Sequence, residues 1–119
     1  MQYMILIYDD PKVLGSMSDE ERQAFMGEYF AYTEGLKQAG VYVDGAPLES
    51  AQAATTVRQR NGQQLVSDGP FAETREVLGG FYMLDCDSLD TALDHAGRCP
   101  SARIGSIEVR PVMVIPAAT

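Results

Sequence analysis

Apolar residues occupy both sets of alternating positions in the first segment of the chain. Residues 2–8 place Tyr3, Ile5 and Ile7 on one face, and Met4, Leu6 and Tyr8 on the other. A strand that is apolar on both faces is covered on both sides of its sheet, so this pattern predicts a central strand. Asp9-Asp10-Pro11 ends the strand, because proline cannot donate to the hydrogen-bond ladder.

The next segment has the pattern of an amphipathic helix over residues 19–39. Ser18 and Glu21 have the spacing of a capping box, and Gly40 is a natural residue just beyond the carboxyl end. One broad apolar face contains Phe25, Tyr29, Tyr32 and Leu36. Gly27 and Gly35 weaken this helix by up to about 1 kcal/mol each relative to alanine.

The remaining apolar segments are short and alternate like strands. Strands are predicted over 41–43, 54–59, 63–67, 77–86 and 107–112. Asn61-Gly62 separates the third strand from the fourth, and both residues tolerate the positive φ of a type I′ turn, so these two strands should form a hairpin. Ser88 caps a second predicted helix over 89–98, which Cys99-Pro100 ends.

The predicted order is β-α-β, a hairpin, and β-α-β again. Without the hairpin, this order is an α+β, ferredoxin-like split β-α-β fold, with an antiparallel sheet and both helices on one face. The other face of the sheet, which carries Met4 and Leu6, then needs a second cover. A second copy of the chain would supply it, so we expect a homodimer in the form of a dimeric α/β barrel.

Composition narrows the class of protein. The 119 residues predict one domain over 1–119, and 45% hydrophobic with 22% charged residues is ordinary for a globular domain. A net charge of −8 disfavours binding to nucleic acid or an anionic membrane. The amino terminus lacks the basic start of a signal peptide, so a cytoplasmic location is expected. Cys86 and Cys99 are expected to be reduced thiols.

A metal or cofactor site is not expected. Cys99 and the single histidine, His95, could share one helical turn, but a zinc site would need two more ligands. His95 is expected to be a packed or half-exposed residue, with proton transfer as the alternative. No nucleotide-binding glycine motif occurs in the chain.

The segment Ser67-Asp68-Gly69-Pro70-Phe71-Ala72-Glu73-Thr74-Arg75 resembles the YCII-related family in its DGPF branch, which takes its name from residues 68–71. The resemblance extends over the whole chain, including Leu78-Gly79-Gly80-Phe81-Tyr82 and Ile107-Glu108-Val109-Arg110-Pro111. It implies a dimeric α/β barrel and says little about chemistry. Members are mostly uncharacterised bacterial proteins, one relative is a dehydrochlorinase of a chlorinated aromatic, and others accompany extracytoplasmic-function sigma factors.

The chain departs from this family at the residues proposed to be catalytic. The shorter YCII branch of the family has a proposed active site with a histidine–aspartate pair. Counting along this chain places the family's histidine near Tyr29 and its aspartate at Cys99. Neither member of the pair is present. His95 lies on the second helix, where DGPF relatives usually carry tryptophan, so it does not replace the missing histidine. The histidine–aspartate mechanism is therefore not expected here.

The DGPF turn supplies the candidate catalytic residues. Asp68 could brace the turn through local hydrogen bonds, or it could lie at the rim of a pocket with Glu73 and serve as acid or base. Phe71 is expected to fill the core, with stacking on a ligand as the alternative. The other candidate ligand-binding residues are Tyr8, Tyr82 and Arg75, although strand tyrosines usually pack and surface arginines usually form ion pairs.

Three functions remain open on the sequence. The first is a small-molecule-binding or cofactor-independent, enzyme-like homodimer with a pocket near the DGPF turn. The alternative is a non-catalytic partner or modulator of an extracytoplasmic-function sigma factor, for which the acidic charge is the one supporting feature. The third is a structural dimer module whose pocket is vestigial. A well-formed, occupied cavity that contains Asp68 would favour the first function, and a filled cavity with an exposed apolar patch away from the dimer interface would favour the second.

Overall fold

A four-stranded antiparallel sheet forms the centre of the computed structural model, which describes residues 1–117. Residues 118–119 of the predicted domain lie outside the described residues. The strands are β1 (Gln2–Asp9), β2 (Tyr42–Pro47), β3 (Thr55–Arg60), β4 (Gln63–Asp68), β5 (Val77–Asp85) and β6 (Ser106–Pro111). The helices are α1 (Pro11–Gly15), α2 (Asp19–Gln38) and α3 (Leu89–Gly97), with 3₁₀ turns at Ala51–Ala53 and Pro100–Arg103. The predicted α+β class is confirmed.

The strand order β2-β5-β1-β6 makes β1 a central strand, as its two apolar faces predict. Every neighbouring pair in this sheet is antiparallel. β6 lies at an edge, where Pro111 costs the ladder little. The core lies on one face of the sheet and contains Tyr3, Ile5, Ile7, Leu36, Tyr82, Leu84, Ala92 and Ala96.

α2 begins as the sequence predicts and ends at Gln38, one residue before the predicted end. Both hydrogen bonds of the capping box form, with the Ser18 side chain accepting from the Glu21 N–H and the Glu21 side chain accepting from the Ser18 N–H. Leu36 is the one buried residue of this helix. Phe30, six residues earlier, is 73% exposed, whereas Tyr29 and Tyr32 are half-buried and pack against the core.

β3 and β4 form the predicted hairpin as a separate two-stranded sheet. Asn61 and Gly62 have φ values of 54° and 78°, which suit a type I′ turn. The prediction that Phe71 fills the core was wrong, because its side chain is 79% exposed. The turn that carries it lies after the exposed strand β4, away from the buried cluster.

α1 was not predicted. Its five residues are too few to show a helical period. The pattern at Asp9-Asp10-Pro11 indicates only the end of a strand. Pro11 occupies the first turn, where its missing N–H costs nothing, and the Asp10 side chain accepts from the Lys12 N–H at 2.9 Å. Asp10 is therefore the amino-terminal cap of this helix.

The chain is flatter than a compact domain. Its principal extents are 51 × 48 × 18 Å, and its Cα radius of gyration is 16.7 Å. A compact chain of this length would have a radius of gyration of about 13–14 Å. The exposed β3–β4 hairpin and the exposed apolar residues Met113, Val114 and Ile115 contribute to this extended shape. In the described part of the chain, no helix is long and apolar enough to cross a membrane.

Candidate functional site

A cavity of about 450 Å³ lies between α2 and the strands β2 and β5. Side chains from the helix and the strand ends line it, namely Ile7, Asp9, Met26, Tyr29, Phe30, Thr33, Tyr42, Pro47, Phe81 and Tyr82. Three glycines, Gly45, Gly79 and Gly80, complete the sheet side. Because glycine places no side chain between sheet and helix, these positions help to keep the space open. The volume lies in the range of small-molecule sites.

Asp9 is the one acidic or basic residue among those described as lining this cavity. Its Oδ1 atom is buried and has no hydrogen-bond partner in the described chain. A buried carboxylate oxygen without a partner is costly, and such groups are therefore rare outside functional sites. Asp9 is the feature of the cavity that most needs a functional explanation.

Gly79 makes the position of Asp9 possible. The ladder between β1 and β5 shifts between Ile7 and Tyr8, so Ile7 pairs with Gly80 and Tyr8 pairs with Leu78. Gly79 is the extra residue of this bulge. A Cβ atom at Gly79 would lie 2.5 Å from the Asp9 Oδ2 atom, which is closer than Cβ atoms approach other heavy atoms. Any larger residue at position 79 would force the carboxylate or the strand to move.

Tyr29 joins the cavity to a buried polar cluster beneath α2. Its hydroxyl donates to the Ser101 Oγ at 2.5 Å and lies 3.3 Å from the Cys99 Sγ. Ser101 and Cys99 are almost completely buried. The resemblance implies a family histidine near Tyr29 and a family aspartate at Cys99, and the structure brings Tyr29 and Cys99 into contact.

Tyr82 and Thr33 form a second polar pair on the cavity wall. The Thr33 Oγ1 donates to the Tyr29 backbone carbonyl at 2.9 Å, which uses its one proton. The Tyr82 hydroxyl lies 2.7 Å from the same Oγ1, so it must be the donor in that contact. Edge-to-face packing of the Tyr82 ring on Tyr32 and Tyr42 fixes the position of this hydroxyl.

Burial keeps the hydroxyl and thiol groups around the cavity protonated. It raises the pKa of Tyr29 and of Cys99, and the negative charge of Asp9 adds a smaller increase at each. Burial also raises the pKa of Tyr82, although its bond with Thr33 opposes the increase. Tyr29 and Cys99 are therefore unsuited to act as bases near neutral pH.

Of the four predicted ligand-binding residues, only Tyr82 is among the described residues that line the cavity. Tyr8 lies outside the lining, with its hydroxyl 3.5 Å from the Glu108 Oε1. The Arg75 guanidinium lies 3.3 Å from the Asp10 Oδ2. The Lys12 backbone N–H and Arg75 hold the pKa of Asp10 below its usual value.

The DGPF turn does not contribute to this cavity. Asp68 ends the exposed strand β4, and Phe71 and Glu73 are exposed. The turn is held through its backbone, since the Gly69 N–H donates to the Ala54 carbonyl and Arg58 donates to the Phe71 carbonyl. Among the described residues, the cavity is instead built from the end of β1, the middle of α2 and the start of β5.

Sequence reasoning missed Asp9 and Thr33 as site residues. It considered Tyr29 as part of an apolar helix face and as the place near which the resemblance puts the family's histidine. A signal for Asp9 was present. Asp9 directly follows a strand that is apolar on both faces, so its side chain begins inside the fold. Gly79-Gly80 indicates a place of close approach on another predicted strand. Thr33 has no comparable signal, because its role depends on the contact with Tyr82.

His95 lies at a second depression, of about 430 Å³, between α2 and α3. Arg98 and Arg103 also line it, and they pair with Asp94 and Glu28 respectively. The His95 backbone carbonyl accepts from the Tyr32 hydroxyl at 2.7 Å. Within residues 1–117, no group of three or more histidine, cysteine, aspartate or glutamate side chains is placed to hold a metal ion. Cys86 and Cys99 are free thiols.

The chain belongs to the YCII-related family, since the model of the YCII-related domain matches residues 1–116. An uncharacterised protein of Rhizobium meliloti (strain 1021) is 43% identical over 114 residues, which cover 94% of this chain and 92% of that protein. The solved structure of 5-chloro-2-hydroxyhydroquinone dehydrochlorinase from Burkholderia phenoliruptrix AC1100, in complex with 2,5-dihydroxybenzoquinone, is similar in fold. Its TM-score is 0.56 at 18% identity, over 95% of this chain and 94% of that one.

The contact between Tyr29 and Ser101 predicts a specific loss of stability. Tyr29→Phe keeps the ring but leaves the buried Ser101 hydroxyl without this partner, so we expect the free energy of unfolding to fall by about 1–3 kcal/mol. Tyr42→Phe is the matched control, because no hydrogen bond of the Tyr42 hydroxyl occurs among the described contacts, and its effect should stay within about 0.5 kcal/mol. Denaturant unfolding near neutral pH measures both. Equal effects of the two variants would contradict the role of the cluster.

Proposed function

We propose that this protein is a small-molecule-binding, enzyme-like homodimer whose ligand occupies the cavity beneath α2. The observation that carries the proposal is Asp9, whose buried Oδ1 lacks a hydrogen-bond partner beside a space of about 450 Å³. A carboxylate has a soft terminal torsion, so either oxygen can turn towards the cavity when a ligand enters. A ligand would supply the hydrogen bond that the protein does not provide.

The fold relative supports a ring compound as the kind of ligand. That dehydrochlorinase was solved with a dihydroxybenzoquinone, and the apolar walls of this cavity suit a ring of similar size. Ile7, Met26 and Phe30 offer apolar contacts, and the rings of Tyr29 and Tyr82 offer aromatic contacts. Asp9 replaces a histidine–aspartate pair as the group that takes a proton in any cofactor-independent reaction here.

The proposal includes a second copy of the chain. β1 and β5 carry Met4, Leu6, Phe81 and Met83 on the face opposite the core, where they are only partly buried. The flat shape of 51 × 48 × 18 Å is that of a molecule with one broad face uncovered. Two sheets packed face to face, in a ferredoxin-like dimeric α/β barrel, would remove this apolar surface from water.

Replacing Asp9 tests the cavity as the ligand site. Asp9→Asn removes the charge and should weaken the binding of a ring compound such as resorcinol by about tenfold or more, since hydrogen bonds to charged groups are the strong ones. Asp68→Asn makes the same chemical change at the exposed DGPF turn and is the matched control. NMR titration of each protein with resorcinol measures the affinity. If Asp68→Asn weakens binding and Asp9→Asn does not, the site lies at the turn.

The dimer is tested by mass in solution. Sedimentation equilibrium at micromolar concentration should give twice the chain mass of 13.0 kDa. We expect the interface to bury about 2,000 Å² or more in total. Leu6→Glu, placed on the open face, should shift the mass towards the monomer, whereas Leu93→Glu on exposed α3 should not. A cooperatively folded species of 13.0 kDa in the unaltered protein would contradict the barrel.

A further inference from the structure

Hydrogen-bond direction around the cavity restricts what its ligand can be. The Tyr29 hydroxyl donates its proton to Ser101, and the Thr33 hydroxyl donates to the Tyr29 carbonyl. The Tyr82 hydroxyl then has to donate to Thr33. Each of these three hydroxyls has one proton, and each proton is already used inside the protein.

These three hydroxyls can therefore offer a ligand only oxygen lone pairs. The Asp9 carboxylate is an acceptor as well. Tyr42, on the edge strand β2, is the one lining hydroxyl for which the described contacts include no bond, so it keeps a proton to donate. Among the polar side chains of the described lining residues, four can thus only accept and one can donate.

The electrostatics of the cavity agree with this count. No lysine, arginine or histidine is among the described lining residues, and Asp9 contributes a negative charge. Arg98 and Arg103, which line the second depression, pair with acidic residues of the chain. Lys37 lies outside the lining, with its Nζ 5.3 Å from the centre of the Tyr42 ring, and it pairs with Glu34. An anionic ligand would meet a carboxylate and oxygen lone pairs, with no cation among the described lining residues to compensate the charge it brings.

We infer that the cavity selects an uncharged ring compound that carries hydroxyl donors, and that it rejects both anions and rings without donors. This inference rests on the proposed function of the cavity and specifies its ligand class. A ring hydroxyl would donate to Asp9 and a second would donate towards Tyr82 or Tyr29, while the ring would contact Ile7 and Met26. Selection by unsatisfied acceptors is strong, because a ligand without donors leaves them buried and unpaired.

Three probes with one ring scaffold test the inference. Resorcinol carries two hydroxyl donors, 1,3-dimethoxybenzene has the same ring and oxygen positions without donors, and 3-hydroxybenzoate has one donor and a negative charge. NMR titration at neutral pH should show resorcinol binding more tightly than either of the others by about tenfold or more. In Asp9→Asn, the disadvantage of 3-hydroxybenzoate should shrink, because the repelling charge is gone. Asp68→Asn should keep the preferences of the unaltered protein.

The outcomes separate this inference from the proposed function. If 1,3-dimethoxybenzene or 3-hydroxybenzoate binds the cavity as tightly as resorcinol, the ligand class is wrong while the cavity stays a binding site. If none of the three probes shifts the resonances of Tyr29, Tyr82 and Phe81 at millimolar concentration, the proposed function itself is overturned, and the inference with it.

Discussion

The cavity is shaped by the bulge that brings the Asp9 carboxylate over Gly79. The bulge between Ile7 and Tyr8 shifts the register of β1 against β5, and Gly79 is the residue left over. Because a Cβ there would lie 2.5 Å from the Asp9 Oδ2, glycine leaves the carboxylate room in its present position. Gly45 and Gly80 leave the neighbouring wall without side chains, while Tyr29 and Tyr32 of α2 pack against the core.

The side chains of α2, the helix above the cavity, differ in burial along its length. Leu36 anchors the carboxyl end of α2 in the core, while Phe30 remains largely exposed nearer the middle of the helix. Tyr29, next to Phe30 in the helix, reaches down to Ser101 and Cys99. The tyrosine hydroxyl and the thiol stay neutral, since burial raises the pKa of both. Asp9 is the one charged residue among the described residues that line the cavity.

Local signals predicted most of the fold. The alternation in residues 2–8, the capping box of Ser18 with Glu21 and the Asn61-Gly62 turn each act within a few residues, and all three are confirmed. The site was harder to predict because its parts come from β1, α2 and β5, and because an orphaned carboxylate leaves no pattern in sequence. The DGPF turn is the most distinctive motif, yet its residues lie outside the lining of the cavity, whereas Tyr82, another predicted ligand-binding residue, is part of that lining.

The central claim is that the Asp9 carboxylate, whose buried Oδ1 has no partner in the described chain, accepts a hydrogen bond from a ligand. A crystal structure of the protein soaked with resorcinol tests it most directly. We expect the resorcinol ring to lie in the cavity beneath α2, with one of its hydroxyl oxygens within about 3.2 Å of an Asp9 carboxylate oxygen. A cavity filled by the protein's own side chains, with Asp9 hydrogen-bonded to one of them and resorcinol absent or bound elsewhere, would contradict it.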